Sequence, residues 1–231
     1  MTVLLETRNL SRSFGGLQAV SDVNFSVEKG EIRAVIGPNG AGKTTFVSLV
    51  SGRIAPSSGT ILFEGEDVTA LPAFRRVKRG IAYTFQITSV YSNLTAGENV
   101  ALAAHAPNSS AARDCLARVG LADRAEQVAG TLSYGHQRLL EVAMGLALKP
   151  KLLILDEPTQ GLSDGEIEGF ISLVRDVARE ATVLLIEHNM PVVMELAHRI
   201  TVLERGRILA EGNPAEIRAD QAVQNAYLGT G

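Results

Sequence analysis

In the first third of the chain the apolar positions come in short runs, "LLETRNLSRSF", "AVSDVNFSVEKG", "EIRAVIG" and "GTILFEGEDVT". Gly-rich or charged turns such as Glu28-Lys29-Gly30 and Ser57-Ser58-Gly59 separate them. Short runs bounded by turn residues predict strands, here antiparallel ones beside one that feeds a helix. From about residue 87 to 148 the texture turns helical, with Ala-rich stretches around 100–118 and 136–148 and breakers at Pro107, Gly120 and Gly130. After Pro150, "KLLILDEP" and "ATVLLIEHN" are continuous apolar runs, the pattern of parallel strands buried on both faces, with a helix between them. The segment "RITVLERGRILAEG" predicts a hairpin about Arg205-Gly206, and "NPAEIRAD" a helix with Asn213 as N-cap and Pro214 at N1.

Composition limits what such a chain can be. At 231 residues and 45% hydrophobic content it can bury the core of one large domain, or of a domain with a smaller subdomain. A net charge of −3 without any long Lys or Arg run argues against a nucleic-acid binder held by phosphate charge. The single Cys115 excludes an internal disulfide and a cysteine metal cluster, and its expected role is a small apolar filler. His105, His136 and His198 have no metal-ligand spacing with one another or with Cys115, so no zinc site is expected. No apolar run reaches the roughly 18 residues of a membrane span, and "MTVLLETRNLSRSF" is broken too early to be a signal peptide. The expectation is a soluble chain that a separate subunit must hold if it works at a membrane.

The most specific motif is "GPNGAGKT", residues 37–44, which fits G-x-x-x-x-G-K-[ST] and stands between a predicted strand and the helix-like "TTFVSLVSG". In that setting backbone N–H groups wrap phosphates while the helix N-terminus faces them. The candidate phosphate-binding residues are Gly37, Pro38, Asn39, Gly40, Ala41, Gly42, Lys43, Thr44 and Thr45. Lys43 is expected to reach the β- and γ-phosphates and Thr44 to offer its hydroxyl to Mg²⁺. Asp156 and Glu157, at the end of "LLILDE", supply a Mg²⁺ ligand, directly or through water, and a group that orients or deprotonates attacking water. Alone, two carboxylates also fit a solvated strand end; beside the phosphate loop they complete a nucleotide site. A third feature is Ser133-Tyr134-Gly135-His136-Gln137, small and polar donors at a predicted helix N-terminus with Ser133 as N-cap, a place that favours an anion.

"LSYGHQ" resembles the LSGGQ signature of ABC-type ATPases and stands, as in that family, shortly before the Walker B strand. Other landmarks follow the family's order along nearly the whole chain. Phe14 lies at the place of the adenine-stacking aromatic, Gln86 ends "YTFQ" like the Q-loop, "GLSD" resembles the D-loop with Asp164, and His188 in "LLIEHN" matches the switch histidine. Two positions depart: Tyr134 replaces the first Gly of the signature and His136 its Gln, while Ser133 and Gly135 are kept. Blander readings remain open for some of these residues, namely Phe14 in the core, Gln86 on the surface, and Ser163-Asp164 as only the N-cap of the helix "GEIEGFISLV", a role compatible with a contact across a pair of subunits.

The resemblance implies a P-loop NTPase core, RecA-like, with an antiparallel β subdomain and an inserted helical subdomain. A single ABC ATPase domain is expected over residues 1–231, with 1–86 and 149–231 as the core and 87–148 as the signature-bearing helical part. It implies ATP and Mg²⁺, the latter held by Thr44, Gln86 and Asp156, and catalysis by Lys43, Glu157 and His188. Ser133, Gly135, His136 and Asp164 would then serve ATP bound to a second ATPase subunit, either another copy or a paralogue, met head to tail. Further implied partners are integral membrane permease subunits and, indirectly, a periplasmic solute-binding protein, with the chain peripheral on the cytoplasmic face of the bacterial inner membrane. Ile87, Val90, Tyr91 and Leu94 would line the groove for a permease helix, or equally pack within the insert. The texture of "IEHNMPVVMELAHRITVLERGRILAEGNPAEI" and "AYLGTG" is closest to ATPases of branched-chain amino-acid importers. Importers of urea or short amides and the ATPase of lipopolysaccharide export share much of it. A soluble repair or translation ATPase lacks support here, without a coiled coil or a second ATPase domain, and a P-loop kinase leaves the signature and His188 unexplained.

Overall fold

The computed structural model describes residues 2–84, 89–105 and 110–228. Its first five strands are β1 (Val3–Phe14), β2 (Leu17–Glu28), β3 (Ile32–Ile36), β4 (Ser58–Phe63) and β5 (Glu66–Asp67). Four of them form an antiparallel sheet in the order β2-β1-β4-β5. Along β2 buried and exposed side chains alternate from Ser21 to Val27, as expected for a strand with one wet face. β3 is instead buried at all five positions and leaves this sheet for another.

That second sheet has the order β10-β9-β3-β8-β7-β6, completed by β6 (Ile81–Tyr83), β7 (Leu152–Asp156), β8 (Thr182–Ile186), β9 (Arg199–Glu204) and β10 (Arg207–Gly212). All neighbours run parallel except the β9–β10 hairpin, which turns at Arg205-Gly206 as its sequence predicts. Like β3, strands β7 and β8 are buried throughout, which explains their unbroken apolar sequences. Alternate residues of one strand enter different cores: Leu153, Leu155, Val183 and Leu185 face one cluster, while Ile154, Leu184 and Ile186 face another.

The helices are α1 (Lys43–Val50), α2 (Ala73–Arg79), α3 (Ala96–Ala103), α4 (Ser110–Arg118), α5 (Tyr134–Ala147), α6 (Asp164–Val177), α7 (Met190–Leu196), α8 (Pro214–Ala219) and α9 (Gln221–Leu228). The first face of the parallel sheet packs against α5 and α6, and α3 and α4 join the same cluster through Val100, Ala112 and Leu116. The second face packs on Phe46, Val47 and Leu49 of α1 and, beyond them, on Leu5, Phe25 and Phe63 of the antiparallel sheet. Each such fully buried side chain contributes roughly 1.5–3 kcal/mol. Helices α8 and α9 cover Ile36, Ile200 and Val202 through Ile217 and Val223. Asn213 caps α8 as expected, its Oδ1 accepting from Ala215 and Glu216 N–H.

Helix α2 has no apolar stripe to announce it, since Arg76 alone among its residues is buried. That guanidinium donates to the carbonyls of Leu49 (2.8 Å), Val50 (2.7 Å), Leu71 (2.9 Å) and Thr69 (3.0 Å). It therefore satisfies the open C-terminal carbonyls of α1 from a helix 26 residues downstream.

Candidate active site

The parallel strands β3, β7 and β8 end at one edge of their sheet, so the loops leaving them converge there. After β3 the chain turns through residues 37–42 into α1. Gly37 and Gly42 have φ of 152° and 98°. A Cβ at Gly37 would overlap the carbonyl oxygen of Leu203, and one at Gly42 that of Ala19. The loop is also tied to the β9–β10 turn by a bond from Gly206 N–H to the Ala41 carbonyl, 2.9 Å. Gly37→Ala is therefore expected to lower stability by about 1–3 kcal/mol through overpacking, seen as a melting temperature roughly 3–10 °C lower; an unchanged melting temperature would contradict the tight fit.

Glycine at the N-cap leaves the first amides of α1 with no side-chain cap, while Thr44 stands exposed and Thr45 half-buried in the first turn. Lys43 curls back over the loop, its Nζ donating to the carbonyls of Gly37 (2.6 Å) and Pro38 (3.0 Å). Burial pulls its pKa below the usual lysine value, while the Glu157 and Asp156 carboxylates oppose that shift. Cation and carboxylates thus share one electrostatic environment.

Asp156 ends β7 with no exposed surface. Its Oδ2 accepts from the Tyr83 hydroxyl at 2.6 Å, and its Oδ1 is buried without a hydrogen-bond partner among the described residues. Burial raises the Asp156 pKa, partly offset by the Tyr83 hydrogen bond. Tyr83 in turn accepts from Arg53 Nη1 at 3.2 Å. Glu157 has a left-handed backbone, φ 49°, held by its N–H bond to the Ile186 carbonyl at 2.8 Å. Such a conformation costs a non-glycine residue about 1–3 kcal/mol and concentrates at functional sites. It directs the carboxylate toward β8, where Glu157 Oε1 lies 3.9 Å from His188 Nδ1.

A second cluster forms around the N-termini of α5 and α6. Ser133 Oγ caps α5 by accepting from His136 N–H at 3.2 Å, and Ser163 donates its N–H and hydroxyl to Glu166, both at 2.7 Å. The two turns touch: His136 Nε2 is 3.4 Å from Glu166 Oε1, buried Gly135 packs on Gly161 and Leu162, and the Tyr134 ring covers Gly161. Ser133 and Asp164 remain exposed. Arg138 of α5 joins this cluster to the first one. Its Nη2 donates to the carbonyls of Asp156 (2.5 Å) and Glu157 (3.0 Å), and its Nη1 to Glu141 Oε2 at 3.1 Å. Glu141 Oε1 accepts from Ser89 N–H at 3.3 Å.

The structure thus brings Lys43, Asp156, Glu157 and His188 together at the sheet edge, and groups Ser133, Gly135 and His136 with the turn before Asp164. Phe14, at the end of β1, is 44% exposed, with the Arg12 guanidinium 4.6 Å from its ring centroid, so it is not a core aromatic. Gln86 and Ile87 lie outside the described residues. Val90 packs on the helical core, Leu94 is half-buried, and Tyr91 is 58% exposed, its backbone held by the buried Asn99 amide. Sequence reasoning passed over Tyr83, Arg138 and Glu187. For Arg138 the only signal was a charged residue on the apolar face of α5 and for Glu187 one directly after an apolar strand, while Tyr83 at the end of β6 carried none.

Among known families, the model described as ABC transporter matches residues 20–160. The chain belongs to the ABC transporter family. A second model, described as branched-chain amino acid ATP-binding cassette transporter, matches residues 207–231 of this ABC ATPase. Similar proteins include the high-affinity branched-chain amino acid transport ATP-binding proteins BraF of Pseudomonas aeruginosa, 37% identical, and LivG of Escherichia coli, 36% identical; each comparison covers 98% of both chains. The crystal structure of the ADP conformation of MJ1267, an ATP-binding cassette of an ABC transporter, matches with a TM-score of 0.90 at 27% identity, over 99% of this chain and 100% of that one. The cassette binds and hydrolyses ATP as the ATPase subunit of a transporter.

Proposed function

We propose that this ABC ATPase powers the import of branched-chain amino acids, with one ABC ATPase domain over residues 1–231 in which 87–148 carry the signature. The observation that carries the cargo reading is the match of residues 207–231, beyond the nucleotide-binding motifs, to the branched-chain amino acid model. The full-length similarity to BraF and LivG supports it. Deleting the gene in its host is expected to abolish high-affinity uptake of labelled leucine and to spare urea and an unrelated amino acid. Unchanged leucine uptake would overturn this cargo, and loss of urea uptake instead would favour the amide importers.

Within the site, the amides of residues 37–45 and Lys43 hold the ATP phosphates, and Phe14 stacks on adenine. The residues fit a divalent cation: Asp156 offers a buried carboxylate oxygen without a partner among the described residues, and exposed Thr44, in the first turn of α1, follows Lys43, whose charge is coupled to Asp156. Mg²⁺, when bound there by Thr44, Asp156 and Gln86, neutralises phosphate charge. Glu157 accepts a proton from the attacking water, and His188 contacts the γ-phosphate and helps to orient that water. Ser133, Gly135 and His136, with Asp164, face the ATP of a second ATPase subunit, a copy of this chain or a paralogue, which ATP draws in by mass action.

No described helix is long and apolar enough to cross a membrane, and we assign the chain a peripheral place on the cytoplasmic face of the cell membrane. There it docks on integral permease subunits, with exposed Tyr91 in the docking groove, and is served indirectly by a solute-binding protein.

A further inference from the structure

Glu187 is a carboxylate with no exposed surface that the catalytic scheme above leaves unused. It directly follows the buried strand β8, at a place where an apolar side chain would fill the same space without the desolvation of a charge. Its two oxygens divide their work between two loops. Oε1 accepts from Thr159 N–H at 3.0 Å and from the Thr159 hydroxyl at 2.5 Å. Oε2 accepts from His188 N–H at 2.9 Å and from Asn189 N–H at 3.1 Å. All four partners are donors, and no ion pair joins Glu187 among the described residues. A carboxylate is the side chain that can accept from both loops at once. A glutamine would point its amide hydrogens at one donor pair and release that loop.

The loops it joins are the two that matter at this edge of the sheet. Thr159 comes two residues after Glu157 and opens the turn to Asp164, while His188 and Asn189 lead into α7. We propose that Glu187 is a positioning residue, whose carboxylate ties the backbone of His188 to the turn after Glu157 and so fixes the His188 imidazole against the Glu157 carboxylate. This inference rests on the role given above to His188. Glu187 acts through its contacts with Thr159, His188 and Asn189; it sets the 3.9 Å geometry between the two side chains proposed to act on nucleotide and water. Displacing a catalytic group by about 1 Å can lower turnover on the order of 100-fold.

The test measures turnover, the KM for ATP and the melting temperature of the full chain, within the assembly in which it hydrolyses ATP, for Glu187→Gln, His188→Ala and the double variant. The expected result is a kcat about 10- to 100-fold lower for Glu187→Gln, with KM within about two-fold of the parent, and a double variant no slower than His188→Ala alone. Parental kcat in Glu187→Gln, or losses that multiply in the double variant, would overturn the proposal. Parental kcat in His188→Ala would remove the role of His188 itself, and the proposal with it. Should Glu187→Gln fail to fold, Thr159→Val deletes one donor and keeps the shape. It is expected to lower kcat without raising KM, with Thr159→Ser restoring the rate; parental kcat in Thr159→Val would overturn the proposal equally.

Discussion

Glu157→Gln protein is expected to bind ATP and stop. Glutamine keeps the size and the left-handed backbone of this residue, and the bond from its N–H to the Ile186 carbonyl is untouched. What disappears is the oxygen that accepts a proton from water, and turnover should fall by about 100-fold or more. Because ATP persists, the closed pair of ATPase subunits should persist too. Light scattering of the variant with ATP and Mg²⁺ should report twice the mass of the chain, reverting to one chain when Ser133→Arg is added. Undiminished turnover would remove Glu157 from the role of base. A chain that binds ATP yet stays at the mass of a monomer would mean that the working partner is a different ATPase subunit.

Lys43→Ala is expected to lose ATP. A hydrogen bond to a charged group contributes about 1.5–3 kcal/mol, so affinity measured by a fluorescent ATP analogue should fall roughly 10- to 100-fold and turnover further. Nζ sits on the carbonyls of Gly37 and Pro38, within the loop proposed to hold the ATP phosphates, and the phosphates are expected to compete for the same ammonium. Normal ATPase activity would contradict the assignment. Burial lowers the Lys43 pKa, so its charge is lost on the alkaline side sooner than that of a solvated lysine. ATP affinity of the parent should therefore weaken as pH rises toward that lowered value, while Lys43→Ala stays flat over the same range.

The features legible in the sequence are those that depend on local spacing. The loop at 37–44 announced itself because a turn of that kind needs glycine where a Cβ would strike Leu203 or Ala19. Strands β7 and β8 were readable because burial on both faces favours unbroken apolar runs, here Leu152–Leu155 and Val183–Ile186, while β3 keeps such a run apart from Arg33. The supporting contacts were not readable, since their partners lie far apart in the chain. Tyr83 reaches Asp156 across 73 positions, and Arg76 of α2 closes the end of α1 although its helix has no apolar stripe. Tyr134 marked a departure from the usual signature, and only the fold reveals that Gly161 leaves room for its ring.

Arg138 carries one more implication. It is anchored on the backbone of the residues proposed to act on this chain's own nucleotide, and it belongs to the helix whose tip is proposed to read the nucleotide of the neighbour. With those roles, a shift at Asp156-Glu157 during a cycle would reach the opposite ATP through a buried guanidinium. On those proposed roles, two such subunits would be coupled crosswise, and turnover is expected to rise with ATP more steeply than a single independent site allows.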